Sequence, residues 1–178
     1  MIRLFAALAL PDPIAEPLAG RQTGLAGARW RPREALHITL RFFGEVREDA
    51  ARDLDLELAA TSGQPLTLGL EGAGFFGEGL DIHAVWAGVA ASADLDHLAK
   101  ACERAARRAG LKAETRAYRP HVTLAYLRRP EPAEVIAWTQ ANALLKSPSF
   151  EVAAFGLYSS WPSSSGSQYR LEARYPLA

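Results

Sequence analysis

The sequence predicts a mixed fold of strands and helices, α/β or α+β, built as one unit. Three observations predict it. Apolar and β-branched runs of strand length recur along the chain, stretches with three- and four-residue apolar spacing lie between them, and no linker-like segment separates one part from another. At 178 residues the chain is one domain by size, able to bury roughly 70% of its unfolded surface without disulfide or metal staples.

The elements follow in order. Ile2 to Leu10 is a short apolar run stopped by Pro11-Asp12-Pro13, a buried strand and a turn. Pro13 to Ala19 opens on proline and closes at Gly20, a short helix. The stretch Arg29–Val46 holds a strand centred on residues 37–42. Arg47 to Ala60 is rich in helix formers, with Ala50, Leu54 and Leu58 four apart and Gly63 beyond. Pro65–Leu70 and His83–Ala90 are strand-like, joined by a glycine-dense stretch, Gly69–Gly79, that reads as a loop or a bulged strand end. The clearest helix runs from Asp94 to Ala109. Leu95, Leu98, Cys102, Ala105 and Ala109 form its apolar stripe, Lys100, Arg104 and Arg108 lie opposite, and Gly110 stops it. A strand at Pro120–Leu127, a helix at Pro132–Leu145 and a strand at Phe150–Tyr158 come next. A Ser/Gly segment, Ser159–Ser167, leads to the last strand, Tyr169–Tyr175.

Composition narrows the function classes. Hydrophobic residues at 49% and charged at 22% exclude wholesale disorder. Twenty Lys and Arg balance twenty Asp and Glu, so no bulk positive field gathers long nucleic acid. Any nucleic-acid chemistry is local, at an end or over a few nucleotides. The single Cys102 excludes an intramolecular disulfide and fits a reducing compartment. There is no apolar run of ~20 residues and no leader-like opening, so the expectation is a cytoplasmic protein without a membrane partner.

Two segments repeat each other. His37-Ile38-Thr39-Leu40 returns as His121-Val122-Thr123-Leu124, 84 residues later and close to half the chain. Alternation along a strand points His37 and Thr39 to one face, and Ile38 and Leu40 to the other; the second copy does the same. If duplicated lobes face each other, two imidazoles and two hydroxyls converge on one cleft. Near neutral pH one imidazole accepts a proton from a nucleophile while the other gives one to a leaving oxygen. Threonine hydroxyls suit phosphoryl oxygens in the transition state. This chemistry calls for no metal or cofactor, and four scattered histidines without carboxylates at ligand spacing predict no metal site.

The remaining residues divide between support and binding. His97 lies on a charged helix side and reads as solvated; His83 reads as structural. Cys102 lies on the apolar stripe and reads as core. The glycines of 69–79 match neither phosphate-binding fingerprint. Arg41 shares parity with His37 and Thr39, and Arg119 with His121 and Thr123; each can meet a phosphate, pair with a carboxylate or sit on the rim. Phe5 offers either a stacking face for a base or core packing, and Trp161 is the more exposed aromatic.

Taken together these residues resemble the 2H phosphoesterase superfamily, and within it the RNA 2′,3′-cyclic phosphodiesterases, also called 2′-5′ RNA ligases. The resemblance rests on His37-Ile38-Thr39-Leu40 with Phe42-x-Gly44-Glu45-Val46, and on Arg119-Pro120-His121-Val122-Thr123-Leu124. It extends through Arg3-Leu4-Phe5-x-Ala7, Val85-Trp86-x-Gly88-Val89, Leu157-Tyr158-x-Ser160, Gly166-x-x-Tyr169 and Tyr175-Pro176-Leu177. It implies an α+β fold over residues 1–178, one domain of two interleaved lobes. Each lobe is an antiparallel sheet flanked by helices, with the active-site cleft between them in a pseudo-twofold arrangement. It further implies metal-independent opening of a 2′,3′-cyclic phosphate, on an RNA end or a small nucleotide, to a 2′-phosphomonoester. His37 would then be the acid for the 3′ oxygen, His121 the base for water, and Thr39 and Thr123 the phosphoryl contacts. The residues by themselves leave open which histidine is acid and which base. The expected protein acts as a monomer with no obligate protein partner.

Two positions depart from the pattern. Tyr126 stands where many members carry arginine, and strand parity turns it away from His121. His83 stands where a basic residue is usual and keeps part of a phosphate-binding role within reach. Two other readings remain beside the leading one: a nucleotide- or RNA-end-binding module with little turnover, and a phosphodiesterase for another small nucleotide or a 2′-5′ oligonucleotide.

Overall fold

A computed structural model describes residues 1–178. In chain order the elements are β1 (Ile2–Ala9), α1 (Asp12–Ala15), β2 (Arg29–Trp30), β3 (His37–Val46), α2 (Glu48–Ala59), β4 (Leu66–Leu68), β5 (Leu70–Phe76), β6 (Ala84–Val89), α3 (Ala93–Arg108), β7 (His121–Tyr126), α4 (Pro132–Ala141), β8 (Phe150–Val152), β9 (Ala154–Ser163) and β10 (Gly166–Pro176). Short 3-10 turns follow α1 and precede β3 and β6.

Eight strands form an antiparallel sheet in the order β10-β9-β1-β3-β7-β6-β5, with β2 also on β7; β4 and β8 make a separate ribbon. The large sheet is two half-sheets meeting at a seam. β1 pairs with β3 along its length, but β3 and β7 share a single residue pair, Ile38 with Val122. Each half therefore carries one copy of the repeated motif on its inner edge.

The alternation predicted for both motifs holds. Ile38, Leu40, Val122 and Leu124 are buried in the core, while His37, Thr39, His121 and Thr123 are only partly buried. The core they join is continuous across both halves. α3 packs on β3, α2 on α3 and β10, and α4 on β5.

The sequence explains α3 at both ends. Ser92 caps its start, its Oγ accepting from the Leu95 N–H at 3.2 Å, and Asp94 and Asp96 sit in the first turn. At the other end Gly110 adopts φ +81°. The Gly110 and Leu111 N–H groups donate back to Arg107 and Ala106, a Schellman closure. Leu95, Leu98, Cys102 and Ala105 are buried as the spacing predicts, and burial pushes the Cys102 thiol up to about 12, so it packs as a small hydrophobe.

Three segments differ from the sequence reading. The glycine-dense stretch is largely β5, a strand with a register shift between Leu70 and Ala73 around Gly72 at φ +74°. The Trp86 ring lies so close over Gly74 that a Cβ there would come within 2.4 Å of it. The Ser-rich segment is not a connecting stretch but the arms of a β9–β10 hairpin, paired from Ser163–Gly166 back to Ala154–Pro176; Trp161 is an exposed strand residue within it. The helix opening at Pro132 ends at Ala141, where the Asn142 side chain donates to the Trp138 carbonyl at 2.8 Å. No helix is long and apolar enough to cross a membrane.

Candidate active site

The seam brings the two motifs together. Because Ile38 pairs with Val122, continuing the register one step each way sets His37 across from Thr123 and Thr39 across from His121. All four side chains leave the face opposite the core, in a local twofold arrangement.

Each imidazole is tethered in the same way. His37 Nδ1 lies 2.8 Å from the Ala35 carbonyl, and His121 Nδ1 lies 2.6 Å from the Arg119 carbonyl. A carbonyl only accepts, so Nδ1 is the protonated nitrogen in both rings. The Nε2 atoms are thereby left to take or give a proton.

The walls differ. His37 packs against Phe5 (ring centroids 5.0 Å) and edge-on to Tyr169 (5.3 Å), and Phe5 in turn stacks on Tyr158. His121 stands edge-on to Phe76 (4.8 Å) and beside Trp86 (6.1 Å), whose buried indole N–H has no hydrogen-bond partner. Burial drives His37 down to about 4; the Ala35 carbonyl opposes this, and the charges of Arg31 and His121 add to it. Burial also lowers His121, with the Arg119 carbonyl opposing.

The substrate-contact expectations fare unevenly. Phe5 is 4% exposed, so it is no platform for a base and serves as packing under His37. Arg41 is committed elsewhere: its Nε donates to Glu103 Oε2 of α3 at 2.5 Å, and its other nitrogens reach the Phe42 and Lys112 carbonyls. That is the carboxylate pairing, and it leaves the guanidinium little to offer a phosphate. Arg119 is exposed with no ion pair, its carbonyl holding His121. His83 is also exposed; its Nδ1 lies 3.1 Å from the Asp81 carbonyl, and its ring stacks on Phe76, one aromatic removed from His121. His97 is exposed on α3, as expected.

Tyr126 corrects the parity argument. The β6–β7 register shifts between Val85–Ala125 and Trp86–Thr123, so Leu124 is an extra residue on β7. Leu124 and Ala125 are consecutively buried, and Tyr126 returns to the side of Thr123. There its ring carries the Arg31 guanidinium 5.5 Å from its centroid, and the same guanidinium lies 5.4 Å from Tyr169.

Arg31 is the residue that motif reading missed. It is 8% exposed and directly follows β2, before the 3-10 turn that leads into the first motif. The signal available was its Arg-Pro dipeptide, Arg31-Pro32, which Arg119-Pro120 echoes before the second motif. Trp86 stands in the Val85-Trp86-x-Gly88-Val89 element of the resemblance without a site role, and Phe76 carries no signal beyond strand-like apolar context.

Known proteins are similar to this chain over most of its length. The family model of the 2′-5′ RNA ligase superfamily matches residues 10–160. A protein of Escherichia coli K12 named RNA 2′,3′-cyclic phosphodiesterase is 36% identical over 163 residues, covering 89% of this chain and 86% of its own. One of Archaeoglobus fulgidus with the same name is 30% identical over 140 residues, covering 76% and 79%. Among solved structures, E. coli LigT complexed with 3′-AMP superposes with a TM-score of 0.78 at 28% identity, covering 99% of this chain and 98% of that one.

Proposed function

This chain belongs to the 2′-5′ RNA ligase superfamily, and on that premise we propose that it is a metal-independent RNA 2′,3′-cyclic phosphodiesterase acting through its paired histidines. The observation that carries the reading is the seam: two imidazoles with the same fixed tautomer, and two threonine hydroxyls, on one face of two half-sheets.

In the proposed reaction, water adds to the phosphorus of the cyclic phosphate and the bond to the 3′ oxygen breaks. The neutral imidazole, His121 by resemblance, takes the proton from water at Nε2. The protonated one, His37, gives its proton to the 3′ oxygen, leaving a 2′-phosphomonoester. Thr39 and Thr123 donate to the phosphoryl oxygens as negative charge gathers there. Bound phosphate anion supplies the electrostatic pull that keeps one imidazole protonated, which the free cleft does not favour. The reverse reaction, joining ends into a 2′-5′ linkage, follows from microscopic reversibility and is unfavourable in water. The whole chain, acting as one copy, supplies both lobes. Zero net charge suits RNA ends and short nucleotides.

The test is turnover of a nucleoside 2′,3′-cyclic phosphate in EDTA, with the product isomer identified and the pH profile measured. A 2′-phosphate is expected; a 3′-phosphate reverses the leaving oxygen, and no turnover removes the proposal. The free cleft needs one neutral and one protonated imidazole, so kcat/KM peaks between the two histidine pKa values. With His37 at about 4 and His121 below 6.5, the optimum lies below pH 6.5. The kcat optimum lies higher, because bound anion raises both.

A further inference from the structure

We propose that Arg31, with Tyr126 and Tyr169, forms an anion subsite beside His37 that holds a phosphate of the nucleotide. The inference rests on the cleft being a nucleotide site and adds a group that the paired motifs do not contain.

Three observations carry it. First, the guanidinium is buried, yet no carboxylate lies within ion-pair distance of it. Arg41, likewise recessed but turned to the α3 side of its strand, has Glu103. A buried cation without an acid is unfavourable unless something neutralises it. Second, its nitrogens meet only neutral oxygens, the Ser167 carbonyl at 3.2 Å from Nη2 and the Tyr169 hydroxyl, which leaves part of its five-donor fork uncommitted. Third, the rings of Tyr126 and Tyr169 hold the planar group in place. Tyr169 also packs edge-on to His37, and the Arg31 charge is felt at that imidazole. A fork of donors fixed between two rings and next to a proton-transfer group matches the oxygens of a phosphate.

The competing role is a pin for the β9–β10 hairpin tip, through Ser167 and the nearby Gly166. A pin to a neutral carbonyl needs a donor but no charge. Arg31→Gln keeps a donor and removes the charge, which separates the two roles.

The experiment measures binding of a nucleoside 2′-monophosphate, inorganic phosphate and the unphosphorylated nucleoside by calorimetry, in the wild type and in Arg31→Gln. The subsite predicts that Kd for both phosphates rises about tenfold or more in the variant, while nucleoside binding is unchanged. A folded variant with wild-type phosphate affinity overturns it and leaves the pin. KM for a nucleoside cyclic phosphate and for a dinucleotide ending in one then locates the contact. A rise with both substrates places Arg31 on the reacting phosphate, and a rise confined to the dinucleotide places it on the next phosphodiester. If neither changes, the subsite is lost. Arg31-dependent phosphate binding without turnover in the wild type would sink the cyclic phosphodiesterase reading and leave the subsite standing. If Arg31→Gln does not fold, the Arg31 Nε–H resonance in ¹⁵N-labelled wild type, assigned through Arg31→Lys, carries the test. Movement with inorganic phosphate supports the subsite, and none at saturation overturns it.

Discussion

The two halves of the cleft hold the same tetrapeptide in the same way and surround it differently. His37 and His121 each bond through Nδ1 to the carbonyl two residues before them, and each sits beside a threonine on the same face. Around His37 lie Phe5 and Tyr169 with the charge of Arg31; around His121 lie Phe76 and Trp86. The difference teaches a division of labour. The repeated motif fixes tautomer and direction, and the unrepeated walls fix how readily each ring takes a proton. A twofold pair thereby becomes an unequal pair: in the free cleft His37 is the ring held well down, and it serves as the acid only once a bound phosphate raises it.

The largest expected effect tests what the halves share. His37→Ala and His121→Ala should each lower kcat/KM roughly 10²–10⁴-fold, with circular dichroism unchanged. Near wild-type turnover in either variant would break the pairing.

The next effect tests how they differ. His37 is held below its ordinary value, so the native state favours the neutral ring and the unfolded chain binds the extra proton. Its contribution is intact above pH 6.5, declines as pH falls, and levels off below about pH 4. Between pH 7 and pH 5 the wild type should lose about 2 kcal/mol more stability than His37→Gln in urea unfolding. The corresponding difference for His121→Gln should be smaller. Equal differences would mean that the walls do not set the two histidines apart.

A smaller effect belongs to the second half alone. Gly74→Ala would bring a Cβ to 2.4 Å from the Trp86 ring, which is backed by Phe76 and His121. Displacing that rigid ring should destabilise the fold by about 1–3 kcal/mol and alter turnover through His121. A thermal melt together with the activity assay checks both.

What was legible in the sequence follows the same line. Strand alternation placed His37, Thr39, His121 and Thr123 because one face of each motif is apolar and the other polar, a pattern local to four residues. The Gly110 end of α3 was equally local. Tyr126 was misplaced because a bulge at Leu124 depends on the partner strand β6, which local alternation does not see. Arg41 was misplaced in the same way: the β1–β3 register shifts between Ala6–Arg41 and Ala7–Thr39, so Leu40 is an extra residue and Arg41 turns to Glu103 of α3, while burial decided the role of Phe5. Arg31 showed only an Arg-Pro dipeptide, because its neighbours, Tyr126, Tyr169 and Ser167, come from distant strands.

The smallest effect asks whether the twofold relation extends to the threonines. Thr39→Val and Thr123→Val keep the β-branched shape on the strand and remove only the hydroxyl. Each hydroxyl offers one neutral hydrogen bond to the phosphoryl group, a contact whose removal should lower kcat by about tenfold, with little change in stability at a partly exposed site. The register sets Thr39 against His121 and Thr123 against His37, so each variant acts across the seam on the other half's histidine. Combining each valine with each His→Gln variant should therefore show stronger coupling for Thr39 with His121, and Thr123 with His37, than for pairs within one motif. Stronger coupling within a motif would mean that the halves work as separate strands, and that the seam does not define the site.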